Sequence, residues 1–171
     1  MNQVRAVELD IDCDRYPEIS RALAYWREKK GDRALPARGD IDPLDLTAYL
    51  PRVMMAEVSY EPLEFRYRVV GTGVFKMHGE ELTRKRARDL QPPEFGALIH
   101  SHYCAVIARR VPLLHVIQLD TDETTTSYAR IILPLAGDGM TIDRLLTVEC
   151  YENNLADLQR FFEGRQARKP G

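Results

Sequence analysis

The sequence lacks the features of a secreted or membrane-spanning protein. No apolar run approaches the roughly 20 residues that a membrane-spanning helix needs. Residues 1–14 carry acidic side chains and no apolar segment of the secretory-signal kind. The three cysteines, Cys13, Cys104 and Cys150, are odd in number and widely spaced, which argues against a disulfide framework or a zinc finger. We therefore expect a cytoplasmic protein with no membrane partner.

The sequence also lacks an excess of basic charge. It has 24 Lys and Arg against 26 Asp and Glu, a formal net charge of -2. Proteins that bind nucleic acids or anionic membranes usually carry a basic excess or a basic face. The basic run from Arg84 to Arg88 is flanked by Glu80, Glu81 and Asp89, and we interpret it as a solvated helix face. No nucleic-acid partner is expected.

Familiar catalytic motifs are missing as well. No serine lies in a G-x-S-x-G elbow, Gly71-Thr72-Gly73 lacks the lysine of a phosphate loop, and no H-E-x-x-H occurs. These absences make an enzyme the less favoured interpretation of the sequence.

The remaining composition is that of a globular domain. Of the 171 residues, 44% are hydrophobic and 29% charged, enough for one domain with a real core. Residues 1–15 show no clear period and are interpreted as an arm. A helix is predicted over 17–30, because Ile19, Leu23 and Trp26 recur at helical spacing between Pro17 and Gly31. A proline-rich segment, 35–43, follows it, and Pro43 is predicted to open a short helix to residue 49.

Strand patterns lie on both sides of a central helical region. The predicted strands cover 53–60, 64–70, 112–120, 125–135 and 141–151. Residues 74–110 are predicted to be helical, with breaks at Gly79 and at Pro92-Pro93, and a last helix is predicted from 153 or 154 to about 164. This order gives an α+β fold with a five-stranded antiparallel sheet and helices on one face. We divide the chain into an N-terminal cap (1–50), a core (51–152), and a C-terminal helix with a polar tail (153–171).

Several local phrases, in this order and spacing, resemble a bacterial subfamily of PAS proteins that consist of a single domain. The phrases are Tyr25-Trp26, Leu35-Pro36-x-Arg38, Asp40-Ile41-Asp42-Pro43, Leu50-Pro51, the run from Phe65 to Thr72, Gly79-Glu80-Glu81-Leu82-Thr83, Leu133-Pro134-Leu135 and Val148-Glu149. They span residues 20–152. The chain departs from the pattern at His78, where a bulky apolar residue is expected.

The resemblance implies a sensory or interaction domain. PAS domains hold small molecules between the inner sheet face and the helices, and many signal as dimers through protein partners. Many others bind nothing and serve as interaction surfaces. The resemblance does not extend to light-sensing flavin chemistry, because the Asn-Cys-Arg-Phe-Leu-Gln motif of that subgroup is missing and Cys104 falls on the outer side of its helix.

Two histidines are candidates for a ligand site. His102 lies on the apolar face of its helix, and His115 lies on the more apolar face of its strand. Such histidines could anchor a ligand or coordinate a haem, and they could equally be core residues with one hydrogen bond. The run from His100 to Cys104 does not predict a metal site, because His102 points away from His100 and Cys104 on a helix. The cofactor therefore stays unassigned.

Other residues complete the predicted cavity. Tyr67, Phe75, Tyr103 and Ala129 are predicted to line it, with Ala129 leaving room beside Ile131 and Leu133 and with His115 facing it. The alternative is a filled aromatic core.

Two structural roles are also predicted from the sequence. Arg68 lies on the opposite strand face and is expected to pair with Asp40 or Asp42, holding the proline-rich segment over the sheet. The stripe of Ile19, Leu23 and Trp26 predicts a homodimer built partly by the first helix, unless that helix covers its own sheet.

Three functions remain open from the sequence. The first is a signalling PAS domain that binds a small, largely apolar molecule, a partner protein, or both. The second is a small α+β enzyme in which a buried His102 or His115 acts as general base. It ranks lower because Glu149 is expected to point outward, which leaves no carboxylate inside. The third is an interaction domain with a filled core.

Overall fold

A computed structural model describes residues 3–166 and confirms an α+β fold built on one antiparallel sheet. In this part of the chain, three single-turn 3₁₀ helices lie at Arg38–Asp40, Leu50–Arg52 and Ala87–Asp89. The strands are β1 (Gln3–Leu9), β2 (Val53–Ser59), β3 (Glu64–Val70), β4 (Leu113–Asp120), β5 (Thr125–Leu135) and β6 (Arg144–Cys150). The helices are α1 (Pro17–Lys30), α2 (Thr72–His78), α3 (Pro93–Arg109) and α4 (Leu155–Gln166). Residues 167–171 of the predicted polar tail lie outside the described residues.

Within residues 3–166 the sheet has six strands in the order β1-β4-β5-β6-β2-β3, one more than predicted. The added strand is β1, so the interpretation of residues 1–15 as an arm was wrong. It pairs antiparallel with β4, from Gln3 opposite Asp120 to Leu9 opposite Leu114. An edge strand needs no continuous apolar face, and the alternation from Gln3 to Ala6 ends at Val7 and Glu8, which are both exposed. A charged residue at an apolar position of an edge strand breaks the two-residue period on which the strand prediction depended.

Helix α1 covers one face of the sheet, over β5 and β6. Pro17 begins it, and Gly31 ends it with a φ of 55°, as the sequence predicted. Ile19, Leu23 and Trp26 are all buried within their own chain, and the Trp26 indole Nε1 donates a hydrogen bond of 2.8 Å to the Pro134 carbonyl oxygen. These side chains cover their own sheet, so the prediction of a dimer through them was wrong and the homodimer loses this basis.

The opposite face is covered by α3 and α4, and α2 packs against α4. The breaks predicted at Gly79 and Pro92-Pro93 end α2 and begin α3. Phe162 of α4 lies 4.2 Å from the His78 ring, measured between ring centroids, and 5.1 Å from that of Phe95. Aromatic contacts of this kind fix α4 on α2 and α3.

The proline-rich segment is held to the sheet by its backbone rather than by Arg68. The Ala136 N–H donates to the Pro36 carbonyl oxygen at 2.8 Å, and Leu35 is buried. From Pro43 to Tyr49 the chain forms consecutive turns instead of the predicted short helix. Within residues 3–166 no helix is both long and apolar enough to span a membrane.

Candidate functional site

A row of polar side chains crosses the centre of the sheet on the face that α3 covers. His115 of β4 lies directly opposite Arg130 of β5, and Arg130 lies directly opposite Glu149 of β6. Residues directly opposite in an antiparallel pair point to the same face. His115, Arg130 and Glu149 are only 6%, 0% and 1% exposed. Two side chains that are normally charged are therefore enclosed between the sheet and the helices.

The Arg130 guanidinium is the most unusual group in this row. Its Nη2 donates to His102 Nδ1 on α3 at 2.9 Å, and its Cζ lies 5.3 Å from the centroid of the Tyr103 ring. Its Nε and Nη1 have no hydrogen-bond partner among the described residues, and it makes no ion pair with any carboxylate in that part of the chain. Burying a charge without an ion-pair partner lowers the free energy of unfolding by roughly several kcal/mol, so this arrangement destabilises the fold.

The two candidate histidines meet beside Arg130. The His102 and His115 rings stack with centroids 3.7 Å apart and planes 6° apart. Burial, with the nearby Arg130 charge, lowers the pKa of His102 to about 2 and that of His115 to about 4. Both rings are neutral at pH 7, and His102 Nδ1 can accept the bond from Arg130. The two stacked rings therefore line one side of the site and carry no charge at pH 7.

Glu149 occupies the other side of Arg130. Burial raises its pKa to about 7, although a hydrogen bond of 2.5 Å from the Tyr151 hydroxyl and the Arg130 charge both oppose that shift. The Tyr128 ring packs edge-on against Tyr151, and the Tyr128 hydroxyl has no hydrogen-bond partner among residues 3–166. The carboxyl group is therefore poised to gain or lose a proton near neutral pH.

Three hydroxyl groups extend the site toward β3. The Tyr67 and Tyr103 hydroxyls lie 3.2 Å apart, and the Tyr103 hydroxyl lies 3.4 Å from Thr147 Oγ1. All three side chains are fully buried. Burial raises the pKa of Tyr67 well above its ordinary value of 10, so the hydroxyl stays protonated and able to donate. We call these residues with His102, His115, Tyr128, Arg130, Glu149 and Tyr151 the interior cluster.

The structure brings four of the predicted site residues together and separates two from them. Tyr67, His102, Tyr103 and His115 belong to the interior cluster. Phe75 does not, because its side chain on α2 is 45% exposed.

Ala129 is also outside the cluster, since it lies opposite Val116 and Cys150 on the face that α1 covers. The prediction that His115 faces Ala129 was wrong by one residue, because Arg130 takes that position.

Glu149 points into the cluster, so the expectation that it faces outward was also wrong. The sequence reasoning missed it together with Arg130, Thr147, Tyr128 and Tyr151. A signal was nevertheless present. Arg130 is the one charged residue between Tyr128 and Leu135, and Glu149 stands between Val148 and Cys150. A lone charge inside a strand that is apolar on both faces has no solvent side to occupy, and so indicates a buried functional group.

Arg68 does not reach the proline-rich segment, and its predicted pairing was wrong. Its Nε donates to the Glu57 carboxylate at 2.5 Å, in the neighbouring strand. Asp40 instead pairs with Arg33 at 2.8 Å and accepts from the Ala37 N–H. The Asp42 N–H donates to the Tyr25 hydroxyl at 2.9 Å. Each partner lies closer along the chain or in the adjacent strand, and such local contacts need less ordering of the chain.

The run from His100 to Cys104 does not converge on one point. His100 Nε2 lies 3.2 Å from Arg88 Nη2, whereas His102 contacts Arg130 on the sheet. In the part of the chain that the structure describes, no three His, Cys, Asp or Glu side chains are arranged to hold a metal ion.

Acidic partners neutralise much of the basic run at 84–88. Lys85 pairs with Glu80, Arg86 with Asp89 at 2.6 Å, and Arg88 with Glu64 at 2.8 Å. Its charges are therefore used largely within the chain.

Comparison with known proteins places these residues in a family context. Residues 15–148 match the sequence model of a family described as "PAS domain". A solved light-oxygen-voltage domain studied with a flavin analogue is 16% identical, with a TM-score of 0.48, over 74% of this chain and 94% of that one.

A second solved structure, an RNA-binding light-oxygen-voltage receptor, is 11% identical, also with a TM-score of 0.48. The match covers 98% of this chain and 43% of the receptor. Identities and scores this low do not say what this chain binds. No curated protein matches the chain.

Proposed function

Because the chain belongs to the PAS domain family, we propose that it is a sensory signalling domain whose signal is a small molecule bound at the interior cluster. The single observation that carries the proposal is Arg130, which is fully buried, with two guanidinium nitrogens lacking partners among residues 3–166. Buried polar groups are normally hydrogen-bonded, and exceptions concentrate at functional sites. A ligand that accepts hydrogen bonds would satisfy these donors.

The helices around the cluster provide a route for the signal. Helix α3 contributes His102 and Tyr103 directly, and α4 packs over β4 and β5, the strands that carry His115 and Arg130. A ligand that moves Arg130 therefore acts on strands that α4 contacts. We propose that α4 passes this change to a protein partner in the cytoplasm. Because acidic partners neutralise much of the basic run at 84–88, nucleic acid is not part of the proposal.

In the enzyme alternative, Glu149 replaces the two histidines as the candidate general base. A histidine whose pKa is lowered to about 2 or about 4, as for His102 and His115, is a weak base at pH 7. Glu149, with a pKa raised to about 7, is better matched to proton transfer. It is enclosed, however, and the sensory proposal accounts for the unpaired Arg130 donors as well.

Native mass spectrometry of the full chain purified from cells tests the proposal. We expect an excess mass of one small molecule that disappears on denaturation. Thr147→Leu adds bulk inside the cluster and should abolish the excess mass. The matched control, Ala129→Leu, adds bulk on the α1 face and should keep it. A wild-type chain that carries no small molecule, and whose amide exchange in α3 is unchanged by a metabolite extract, would contradict the proposal.

A further inference from the structure

Arg130 and Glu149 face each other across β5 and β6 without forming an ion pair. Their backbones are directly opposite, and both side chains are fully enclosed on the same face. Elsewhere in the sheet, opposite charges in neighbouring strands do pair, as Arg68 does with Glu57 and Arg5 with Asp120. Inside, Arg130 turns to His102 and Glu149 turns to Tyr151. The buried cation is left without an ion-pair partner in the described part of its own chain.

We propose that the interior cluster binds a small carboxylate on Arg130 and that Glu149 takes up one proton when it binds. This inference rests on the proposed function and adds the chemical class of the ligand. A planar guanidinium matches a carboxylate in shape and charge better than any other side chain does. The Tyr128 hydroxyl, also without a partner among the described residues, supplies a further donor on the same strand.

The ligand must be small, because the side chains of the cluster are enclosed. His102 and His115 are less than 9% exposed, and Tyr67, Tyr103 and Thr147 are fully buried. The polar groups around Arg130 are mainly neutral, and Glu149 becomes neutral when it takes up a proton. A ligand with one carboxyl group and a short apolar chain fits these surroundings, and formate and acetate serve as probes.

Glu149 is the group that sets the charge of the cluster near neutral pH. The titratable groups facing it or Arg130 are His102 and Tyr103 from α3, His115 from β4, Tyr67 from β3, Tyr128 from β5, and Tyr151 after β6. The histidines are neutral above about pH 5, since burial lowers their pKa values, and Tyr67, Tyr128 and Tyr151 have raised pKa values. Farther out, Glu8 and Arg109 pair with each other beyond His115.

The charge balance then couples ligand to proton. When Glu149 is ionised, its charge offsets that of Arg130 and repels an incoming carboxylate. When the carboxylate binds, one proton from solvent goes onto Glu149, and the added negative charge of the ligand is cancelled. Since burial raises the pKa of free Glu149 to about 7, the protein is ready to bind at pH 6 and must first take up a proton at pH 8.

Binding of acetate to the full chain by titration calorimetry tests the inference, at constant ionic strength. We expect acetate and formate to bind at pH 6, whereas acetamide, the uncharged analogue of acetate, does not. The dissociation constant for acetate should be roughly tenfold higher at pH 8 than at pH 6, with uptake of about one proton at pH 8. Buffers of different ionisation enthalpy measure that proton.

Two variants separate the parts of the inference. Glu149→Gln mimics the protonated carboxyl and should bind acetate equally well at pH 6 and pH 8. Arg130→Met should lose acetate binding, whereas Arg68→Met, which removes a surface guanidinium, should keep it. If Arg130→Met fails to fold, Glu149→Gln still decides the proton coupling, because it preserves shape and hydrogen bonding.

The possible failures are distinguishable from one another. Equal binding of acetamide and acetate, or a neutral molecule found by native mass spectrometry, overturns the carboxylate and leaves the sensory function standing. A tenfold pH dependence that persists in Glu149→Gln overturns the proton uptake. Absence of acetate and formate binding overturns the inference, and together with a ligand-free native mass it removes the proposed function as well.

Discussion

The two faces of the central strand β5 differ in chemistry although they come from the same stretch of sequence. Ala129, Ile131 and Leu133 point to α1 and meet an apolar layer. Tyr128 and Arg130, which alternate with them, point to α3 and meet histidines, tyrosines and a carboxyl group. Because side chains alternate along a strand, one segment can supply a structural layer and a chemical layer at once.

The difference teaches where stability and function are divided in this fold. On the α1 face, burial of apolar surface stabilises the fold by about 25 cal/mol per Å². Few polar groups lose their hydration there, so little of this stabilisation is offset. On the α3 face, the buried Arg130 and Glu149 each oppose folding unless a ligand or a proton compensates them. We therefore expect substitutions on the α1 face to change stability alone, and substitutions on the α3 face to change pH dependence and binding.

The largest effect is expected from Trp26→Ala, which opens the apolar layer. The indole is buried against β5 and loses both its packing and its hydrogen bond to Pro134. We expect the free energy of unfolding to fall by about 3–5 kcal/mol in urea titrations, with its pH dependence unchanged. Val7→Ala, on an exposed side chain of β1, is the control and should change stability by less than about 0.5 kcal/mol. A small loss for Trp26→Ala would show that α1 does not anchor the sheet.

Glu149→Gln is expected to remove a pH-dependent penalty on the α3 face. The pKa of Glu149 is raised from 4.5 to about 7 in the folded state, so the folded chain holds its proton longer than the unfolded chain does. Wild-type stability from this group therefore falls as pH rises from 4.5 to 7, by about 3 kcal/mol in total. The variant should gain that amount over the wild type between pH 4 and pH 8, measured as the difference in urea stability.

The contribution of the histidines to the pH dependence of stability cancels when the wild type is subtracted from the variant. His78, His102 and His115 have lowered pKa values, so they destabilise both proteins alike as pH falls below 6.5. The control is Glu57→Gln, whose carboxyl pKa is lowered chiefly by the hydrogen bond from Arg68. Its wild-type contribution is present above its ordinary pKa and is lost on acidification, so that difference should change in the opposite sense. A flat profile for Glu149→Gln would show that the carboxyl group is solvated.

Ala129→Leu is expected to have a smaller effect, and only on stability. The side chain lies under α1, where three added carbons overpack a filled layer and cost about 1–3 kcal/mol. Acetate binding should remain unchanged in calorimetry. Ala24→Leu, on the exposed side of α1, is the control and should leave stability nearly unchanged. Loss of ligand binding in Ala129→Leu would mean that the site extends through the sheet.

The apolar layer was largely predictable from the sequence, because it follows simple periodicity. Ile19, Leu23 and Trp26 recur at helical spacing between a proline and a glycine, and that pattern alone places α1. What the pattern could not say is which surface the stripe covers. Burial on its own sheet and burial in a dimer need the same residues.

The chemical layer was predictable only in part. In β5 both faces are apolar around Arg130, so the alternation of side chains does not say which residues point inward. The prediction placed Ala129 inside because its side chain is small, and it took no account of the charge of Arg130. Charged residues are almost never fully buried without a partner, so the general rule for burial gives no reason to place an arginine inside. The cluster is the place where that general rule fails, and so it could not be found by applying the rule.

The smallest effect is expected from Arg68→Met, which tests a charge on the outside of the sheet. The sequence interpretation paired Arg68 with Asp40 or Asp42. If that pair were partly buried, the substitution would leave a carboxylate uncompensated and cost about 2–4 kcal/mol. In the structure its partner is Glu57, and both side chains keep more than a third of their surface in solvent. Exposed pairs contribute about 0.2–1 kcal/mol, so the urea midpoint should move little, and less at high salt. A loss above about 2 kcal/mol that salt does not alter would return Arg68 to a buried role and weaken the contrast with Arg130.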